Sequence, residues 1–96
     1  MARVVVTPTA LDDLDRLIRE LKLPGDTRSR VRDRLRQLAE FPESGEELTG
    51  RWAGFRYLLG PWPWMLIVCM YDEGADRVSV VTIQDSRAAR SATSQR

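Results

Sequence analysis

The chain has 96 residues, a length that supports one domain with one hydrophobic core, and its 43% hydrophobic and 30% charged content is typical of a soluble globular protein. Its formal net charge of +1 lies far from the strong basic surplus of most nucleic-acid-binding domains. The single cysteine, Cys69, excludes an internal disulfide, and the lack of histidine argues against a zinc site. No apolar run reaches the roughly 18–20 residues of a membrane helix. The N-terminus also lacks the apolar core of a signal peptide, so we expect a cytoplasmic protein with no membrane partner.

The first half of the chain predicts a strand and two helices. Residues 3–7 form a β-branched run that is typical of a strand. Thr7 and Pro8 then provide a helix N-cap and a proline at the first helical position, and leucines follow at helical spacing. The sequence LPGD at 23–26 ends this helix, and a second helix is expected over 27–40.

Arginines occupy alternate positions along part of the second helix. Because a helix turns by about 100° per residue, this spacing spreads them around it, and only residues four apart share a face. They are Arg28, Arg30, Arg32, Arg34 and Arg36. Two interpretations stay open, a solvated helix face and a surface that contacts phosphate or an acidic partner.

The second half of the chain predicts a small sheet. Residues 43–53 are a polar loop, strands are expected at 55–60, 64–71 and 77–83, and a polar, partly flexible tail begins at 86. The second of these strands, WMLIVCMY, is apolar on both faces, so it should be the central strand and be covered twice. Two helices can cover only one face of a small sheet. We therefore expect a partner protein to cover the other face.

The element order and three long stretches carry a family resemblance. The stretches are VVVTPTALDDLDRL, LTGRWAGFRYLLGPWPWMLIVCMYDE and RVSVVTIQDSR, and the resemblance extends from about residue 3 to 91. In order and spacing the chain is similar to the RelE/ParE family, the toxins of bacterial type II toxin–antitoxin modules. The resemblance implies a single α+β domain over 1–96 with the order β-α-α-β-β-β. Its small, mostly antiparallel sheet would carry a helical hairpin on one face.

The same resemblance implies a function and two alternatives. The main expectation is a ribosome-dependent mRNA endonuclease that blocks translation without a metal or other cofactor, with the ribosome and mRNA as partners. The alternatives are a ParE-like, non-enzymatic inhibitor of DNA gyrase and a non-toxic member that acts only in a repressor complex. All three imply a cognate antitoxin, and the candidate antitoxin contacts are Met65, Ile67 and Tyr71.

Cleavage of RNA by its own 2′-hydroxyl needs a base, an acid and cations near the phosphate. By position, Arg56 on the first hairpin strand and Arg87 after the last strand resemble the family's phosphate-contacting arginines. Ser86 occupies the position of the family's histidine, and the family's late tyrosine is absent, so a general base would have to be a carboxylate. Asp85 is the acid–base candidate, with Glu46 and Glu47 as alternatives. Further candidates for RNA or target binding are Arg51, Trp62, Arg77 and Arg90.

Overall fold

The structure, a computed structural model, describes residues 1–88 and 91–93. In these ranges the elements follow the predicted order, close to the predicted ends. One addition is a two-residue strand inside the polar loop, and a short 3₁₀ turn at Gly50–Trp52 follows it. The elements are β1 (Arg3–Val6), α1 (Pro8–Leu21), α2 (Thr27–Glu40), β2 (Glu46–Glu47), β3 (Arg56–Leu59), β4 (Met65–Asp72) and β5 (Arg77–Asp85).

The strands form one sheet in the order β1-β5-β4-β3-β2. β1 runs parallel to β5, whereas the other neighbouring pairs are antiparallel. The α1–α2 hairpin packs on one face of this sheet. The predicted α+β fold, with a mostly antiparallel sheet and a helical hairpin on one face, is therefore confirmed.

The first helix begins where the sequence predicts. The side-chain oxygen of Thr7 accepts a hydrogen bond from the Ala10 amide at 3.3 Å, and Pro8 occupies the first turn. The Thr7 hydroxyl also donates to the carbonyl of Val80 at 2.8 Å, which fixes the start of α1 against β5. No helix in the described ranges combines the length and the apolar sequence needed to cross a membrane.

The main core lies between the two helices and one face of the sheet. Met65 and Ile67 of β4 have no exposed surface, and they belong to one cluster with Leu17 of α1 and Leu38 of α2. Their expected role as antitoxin contacts conflicts with this placement, because a partner that docks on this fold cannot reach them. Tyr71, the third candidate, is half-buried at the margin of the same cluster.

The opposite face of β4 is covered by the chain itself. Leu66 and Val68 are buried with Leu48 and Ala92, and aromatic side chains of the loop before β3 pack against them. The expectation that a partner must cover this face is wrong, because the polar loop folds back and places its few apolar side chains on the sheet. At the far end of this face Met70 remains 43% exposed.

β5 contains a bulge opposite the middle of β4. Val68 pairs with Thr82 and the next residue, Cys69, pairs with Val80, so one residue of β5 is left over. The extra residue changes the alternation of faces. Val80 and Ile83 therefore both lie in the main core although they are three positions apart.

Asp13 of α1 holds this bulge in place. The carboxylate is almost completely buried, at 8% exposure, and it accepts hydrogen bonds from the Thr82 hydroxyl and from the Ile83 amide. Arg16 lies 3.3 Å from its other oxygen. A buried carboxylate is tolerated only when hydrogen bonds replace its hydration, and here these bonds connect α1 directly to β5.

Candidate functional site: the Arg56 groove and the tryptophan–arginine column

Arg56, the first family-matched arginine, is held by the loop that follows α2. Its Nη1 donates to the carbonyl of Gly45 at 2.9 Å, and its Nη2 lies 3.0 Å from Glu47 and 3.6 Å from Glu43. Only 24% of the side chain is exposed. Two carboxylates and a carbonyl therefore surround the guanidinium and compete with a phosphate for its donors.

The groove beside this arginine is acidic. It has a volume of about 420 Å³ and we refer to it as the Arg56 groove. Its lining residues are Glu43, Glu47, Leu48, Ala53, Gly54, Phe55, Arg56, Tyr71 and Glu73. Three carboxylates face one guanidinium, so the local charge disfavours a phosphate and would favour a cation.

Tyr71 and Cys69, which lie near Arg56, are poor acid–base groups at neutral pH. The Tyr71 hydroxyl donates to Asp76 at 2.8 Å, and this hydrogen bond, with burial and nearby carboxylates, raises the pKa of Tyr71 to about 12. Burial raises the pKa of the Cys69 thiol to about 11, although the charge of Arg56 acts in the opposite direction. General acid–base catalysis works best with a pKa near the working pH, and both groups are shifted away from it.

Arg87, the second family-matched arginine, forms a closed ion pair with Asp85. Its Nε and Nη2 donate to the two oxygens of the Asp85 carboxylate at 2.9 and 2.7 Å. This hydrogen bonding lowers the pKa of Asp85. Asp85 is therefore an ionised carboxylate at neutral pH with both oxygens already engaged, which makes it a poor general acid and a weak general base.

The two arginines lie in different parts of the sheet. Arg56 pairs with Cys69, whereas Asp85 pairs with Met65, four residues away along β4. That separation is about 13 Å along the strand, and the two partner strands flank β4 on opposite sides, which adds about 10 Å across the sheet. Held as they are by their own carboxylates, Arg56 and Arg87 do not converge on one phosphate.

A second feature, which we name the tryptophan–arginine column, lies at the Asp85 end of β4. The rings of Trp62 and Trp64 are stacked, with centroids 5.8 Å apart and planes 13° from parallel. The guanidinium carbon of Arg30 lies 4.9 Å from the Trp62 ring, and that of Arg87 lies 4.8 Å from the Trp64 ring. The column brings together side chains from α2, from the β3–β4 turn and from the segment after β5.

Sequence reasoning found only part of this column. Trp62 and Arg87 are predicted candidates, but neither the sequence pattern nor the family resemblance singles out Arg30 from the arginines of α2. Arg30 and Arg34 share a helix face at a spacing of four residues, which is the only local signal for their common position.

The remaining candidates do not join either feature. Arg51 is exposed in the 3₁₀ turn before β3. Arg77 begins β5 and lies 3.6 Å from Asp72 across the β4–β5 turn, at the end of the sheet opposite the column. Arg90 lies outside the described residues. In the described ranges no cluster of three or more histidine, cysteine or acidic residues could hold a metal ion.

The family model described as the ParE toxin of the type II toxin–antitoxin system parDE matches residues 4–89. The chain belongs to this family of toxins. The match covers both helices and all five strands except Arg3 of β1, so the RelE/ParE resemblance of the sequence is confirmed. No curated protein matches the chain closely enough to refine this assignment.

Solved structures of toxins from this family share the fold. The chain resembles the toxin of the Pseudomonas aeruginosa chromosomal ParDE system with a TM-score of 0.67 at 15% identity, covering 88% of this ParE-family chain and 96% of the other. For the intact Escherichia coli RelBE complex the TM-score is 0.65 at 16% identity, with 92% and 100% covered. For the Mycobacterium tuberculosis RelBE2 complex it is 0.60 at 20% identity, with 88% and 96% covered. RelE-type and ParE-type toxins are thus similarly close in fold, and the fold does not choose between them.

Proposed function

We propose that this ParE-family toxin acts by binding its target rather than by cutting RNA, and that the target is DNA gyrase, as for ParE-type members of the family. The observation that carries the proposal is the Arg56 groove. A ribonuclease of this fold would place an available cation beside the scissile phosphate. Here Arg56 is engaged by Glu43, Glu47 and Gly45, and a further carboxylate, Glu73, lines the same groove.

The side chains that could act as a general acid or base support the same proposal. The sequence contains no histidine, the Tyr71 pKa is raised to about 12, and the pKa of Asp85 is lowered by Arg87. General acid–base assistance typically contributes about 10²–10⁴-fold to a rate. A toxin that acts by binding its target does not need acid–base assistance. The lack of histidine and the shifted pKa values are therefore compatible with its activity.

A cognate antitoxin is the second part of the proposal. Two of the similar structures are RelBE toxin–antitoxin complexes and a third belongs to a ParDE toxin–antitoxin system, and the family is defined by such modules. We expect the antitoxin to bind surface residues, and not Met65 or Ile67, which are enclosed by the helices.

The proposal is tested with the purified chain in two parallel reactions. In the first, gyrase supercoils relaxed plasmid in the presence of increasing toxin, and inhibition is expected as the toxin approaches a stoichiometric ratio to the enzyme. In the second, a translation reaction on one message is analysed by primer extension, and no new 5′ ends are expected. Far-ultraviolet circular dichroism of the same sample verifies that the chain is folded.

Two other patterns of results would contradict the proposal. New 5′ ends without gyrase inhibition would restore the mRNA endonuclease expected from the sequence. Inactivity of the folded chain in both reactions would favour the non-toxic, repressor-complex alternative. Gyrase inhibition that disappears when purified antitoxin is added first would support both parts of the proposal.

A further inference from the structure

The order of groups in the tryptophan–arginine column follows from its dimensions. Two ring planes need about 7 Å between them to hold a third flat group at van der Waals separation on both sides. The centroids of Trp62 and Trp64 are only 5.8 Å apart, so no guanidinium fits between them. Arg30 and Arg87 therefore do not lie between the two indoles; Arg30 lies over the Trp62 ring and Arg87 lies over the Trp64 ring.

This order decides which kind of ligand the column suits. A nucleobase stacks on an open aromatic face, and here the other indole and an arginine already lie against each ring. The edge of a stacked guanidinium, in contrast, still presents its N–H groups in the plane of the ring, and a carboxylate can accept two of them. The column therefore favours an acidic partner over a single-stranded nucleic acid.

Arg87 already shows this mode of binding within the chain. Its guanidinium lies over Trp64 while two of its N–H groups hold the Asp85 carboxylate. Arg30 lies over Trp62 in the same way, and no carboxylate of the described residues lies within ion-pair distance of it. The outer end of the column is thus a stacked, exposed guanidinium whose edge is open to a carboxylate from another molecule.

The surroundings of Arg30 extend the same surface. Arg34 lies one helical turn further along α2, and its Nε donates to the carbonyl of Leu59 at 3.0 Å. Leu59, at the end of β3, is 41% exposed. Two arginines and an indole, residue types that are enriched in the energetically important parts of protein interfaces, therefore lie together with an exposed leucine.

We propose that Arg30, Arg34, Leu59 and Trp62 form a docking surface for an acidic peptide segment of a partner protein, with carboxylates on the two guanidinium groups and an apolar side chain against Leu59. Charge complementarity, together with the groups that already lie against both rings, favours this occupant. The inference concerns the chemistry of a bound segment, so it does not depend on whether the toxin acts on gyrase.

The test uses the full chain with Trp52→Phe, which leaves Trp62 and Trp64 as its only tryptophans. A short synthetic peptide of Glu and Leu is titrated while tryptophan emission is followed, and a saturable change is expected. The dissociation constant should increase about tenfold for Arg30→Gln, the loss of one good charge-assisted contact. Arg30→Lys should also weaken binding, because it keeps the charge but removes the planar fork.

Three controls make the result decisive. Arg19→Gln removes an exposed arginine from α1 and should leave the dissociation constant unchanged. A peptide with Lys in place of Glu should not bind, and oligothymidylate should bind more weakly than the acidic peptide. The proposal is overturned by the absence of a saturable change with the acidic peptide, by equal effects of the Arg19 and Arg30 substitutions, or by tighter binding of oligothymidylate.

Discussion

The guanidinium of Arg56 and the carboxylate of Glu47 lie 3.0 Å apart, across the short pairing of β2 with β3. The same guanidinium holds the Gly45 carbonyl, so it closes the loop after α2 onto the sheet. An arginine that matches the family's phosphate contact therefore has a structural role in this chain.

Substitution of Arg56 by Gln is expected to lower the free energy of unfolding by about 1 kcal/mol, the net value of a hydrogen bond to a carbonyl with an exposed ion pair beside it. Toxicity, corrected for the amount of folded protein, should remain unchanged, because the carboxylates of the groove disfavour a phosphate. Urea denaturation and growth after induction measure the two quantities. Loss of toxicity in a chain that is still folded would return Arg56 to a functional site.

Substitution of Asp13 by Ala is expected to destabilise the protein by about 2–3 kcal/mol, because the Ile83 amide and the Thr82 hydroxyl lose a buried acceptor. The exposed neighbour Asp12 is the matched control, and Asp12→Ala should change stability by less than about 0.5 kcal/mol. Combining Asp13→Ala with Thr82→Val should cost less than the sum of the single changes. Additive effects in denaturant unfolding would mean that the two side chains do not act together.

Substitution of Gly45 by Ala tests the close approach of the loop to β3. A Cβ at Gly45 would lie 2.8 Å from the backbone carbonyl oxygen of Tyr57, which cannot move without disturbing the sheet. We expect a loss of about 1–3 kcal/mol. At Gly25 a Cβ meets nothing within 4 Å, so Gly25→Ala should leave stability within about 1 kcal/mol of the parent. Equal thermal shifts for the two variants would contradict the placement of the loop.

The Asp85–Arg87 pair predicts a specific acid response. Because Arg87 lowers the pKa of Asp85 in the folded state, the pair stabilises the fold above the ordinary carboxyl pKa of about 3.9 and loses this contribution as the pH falls through the folded-state value. The stability difference between the parent and Asp85→Asn should thus be constant near neutral pH and shrink below about pH 4. Arg87→Gln should give the same pH profile in urea unfolding. A stability difference between parent and variant that grows towards acid pH would show that the folded state does not lower the pKa of Asp85.

Local sequence patterns predicted the secondary structure well because the features that determine a helix or strand lie within the element itself. The leucine spacing of α1, its Thr7-Pro8 start and the apolar run of β4 each specify an element without reference to the rest of the chain. The cover of the second sheet face could not be predicted in this way. It depends on Leu48 and Ala92, isolated apolar residues in polar surroundings whose burial is decided only when distant segments meet.

The candidate site was predicted less completely for the same reason. Arg56 and Arg87 could be placed by family resemblance, but their ion pairs with Glu47 and Asp85 depend on loop geometry that the sequence pattern does not encode. The bulge in β5 likewise changes which side chains face the core without any local signal such as glycine. The column required three separate elements to meet, and of its members only Trp62 and Arg87 were predicted as candidates, without their contact partners.

The measurement that tests the central claim most directly is the order in which macromolecular synthesis fails when this toxin is induced without antitoxin. DNA and protein synthesis are pulse-labelled in parallel, and one translated message is examined by primer extension. Binding without cleavage predicts that DNA synthesis falls first, while the message keeps its original 5′ end. An early fall in protein synthesis, together with new 5′ ends within the message, would contradict the account and restore RNA cleavage as the activity of this chain.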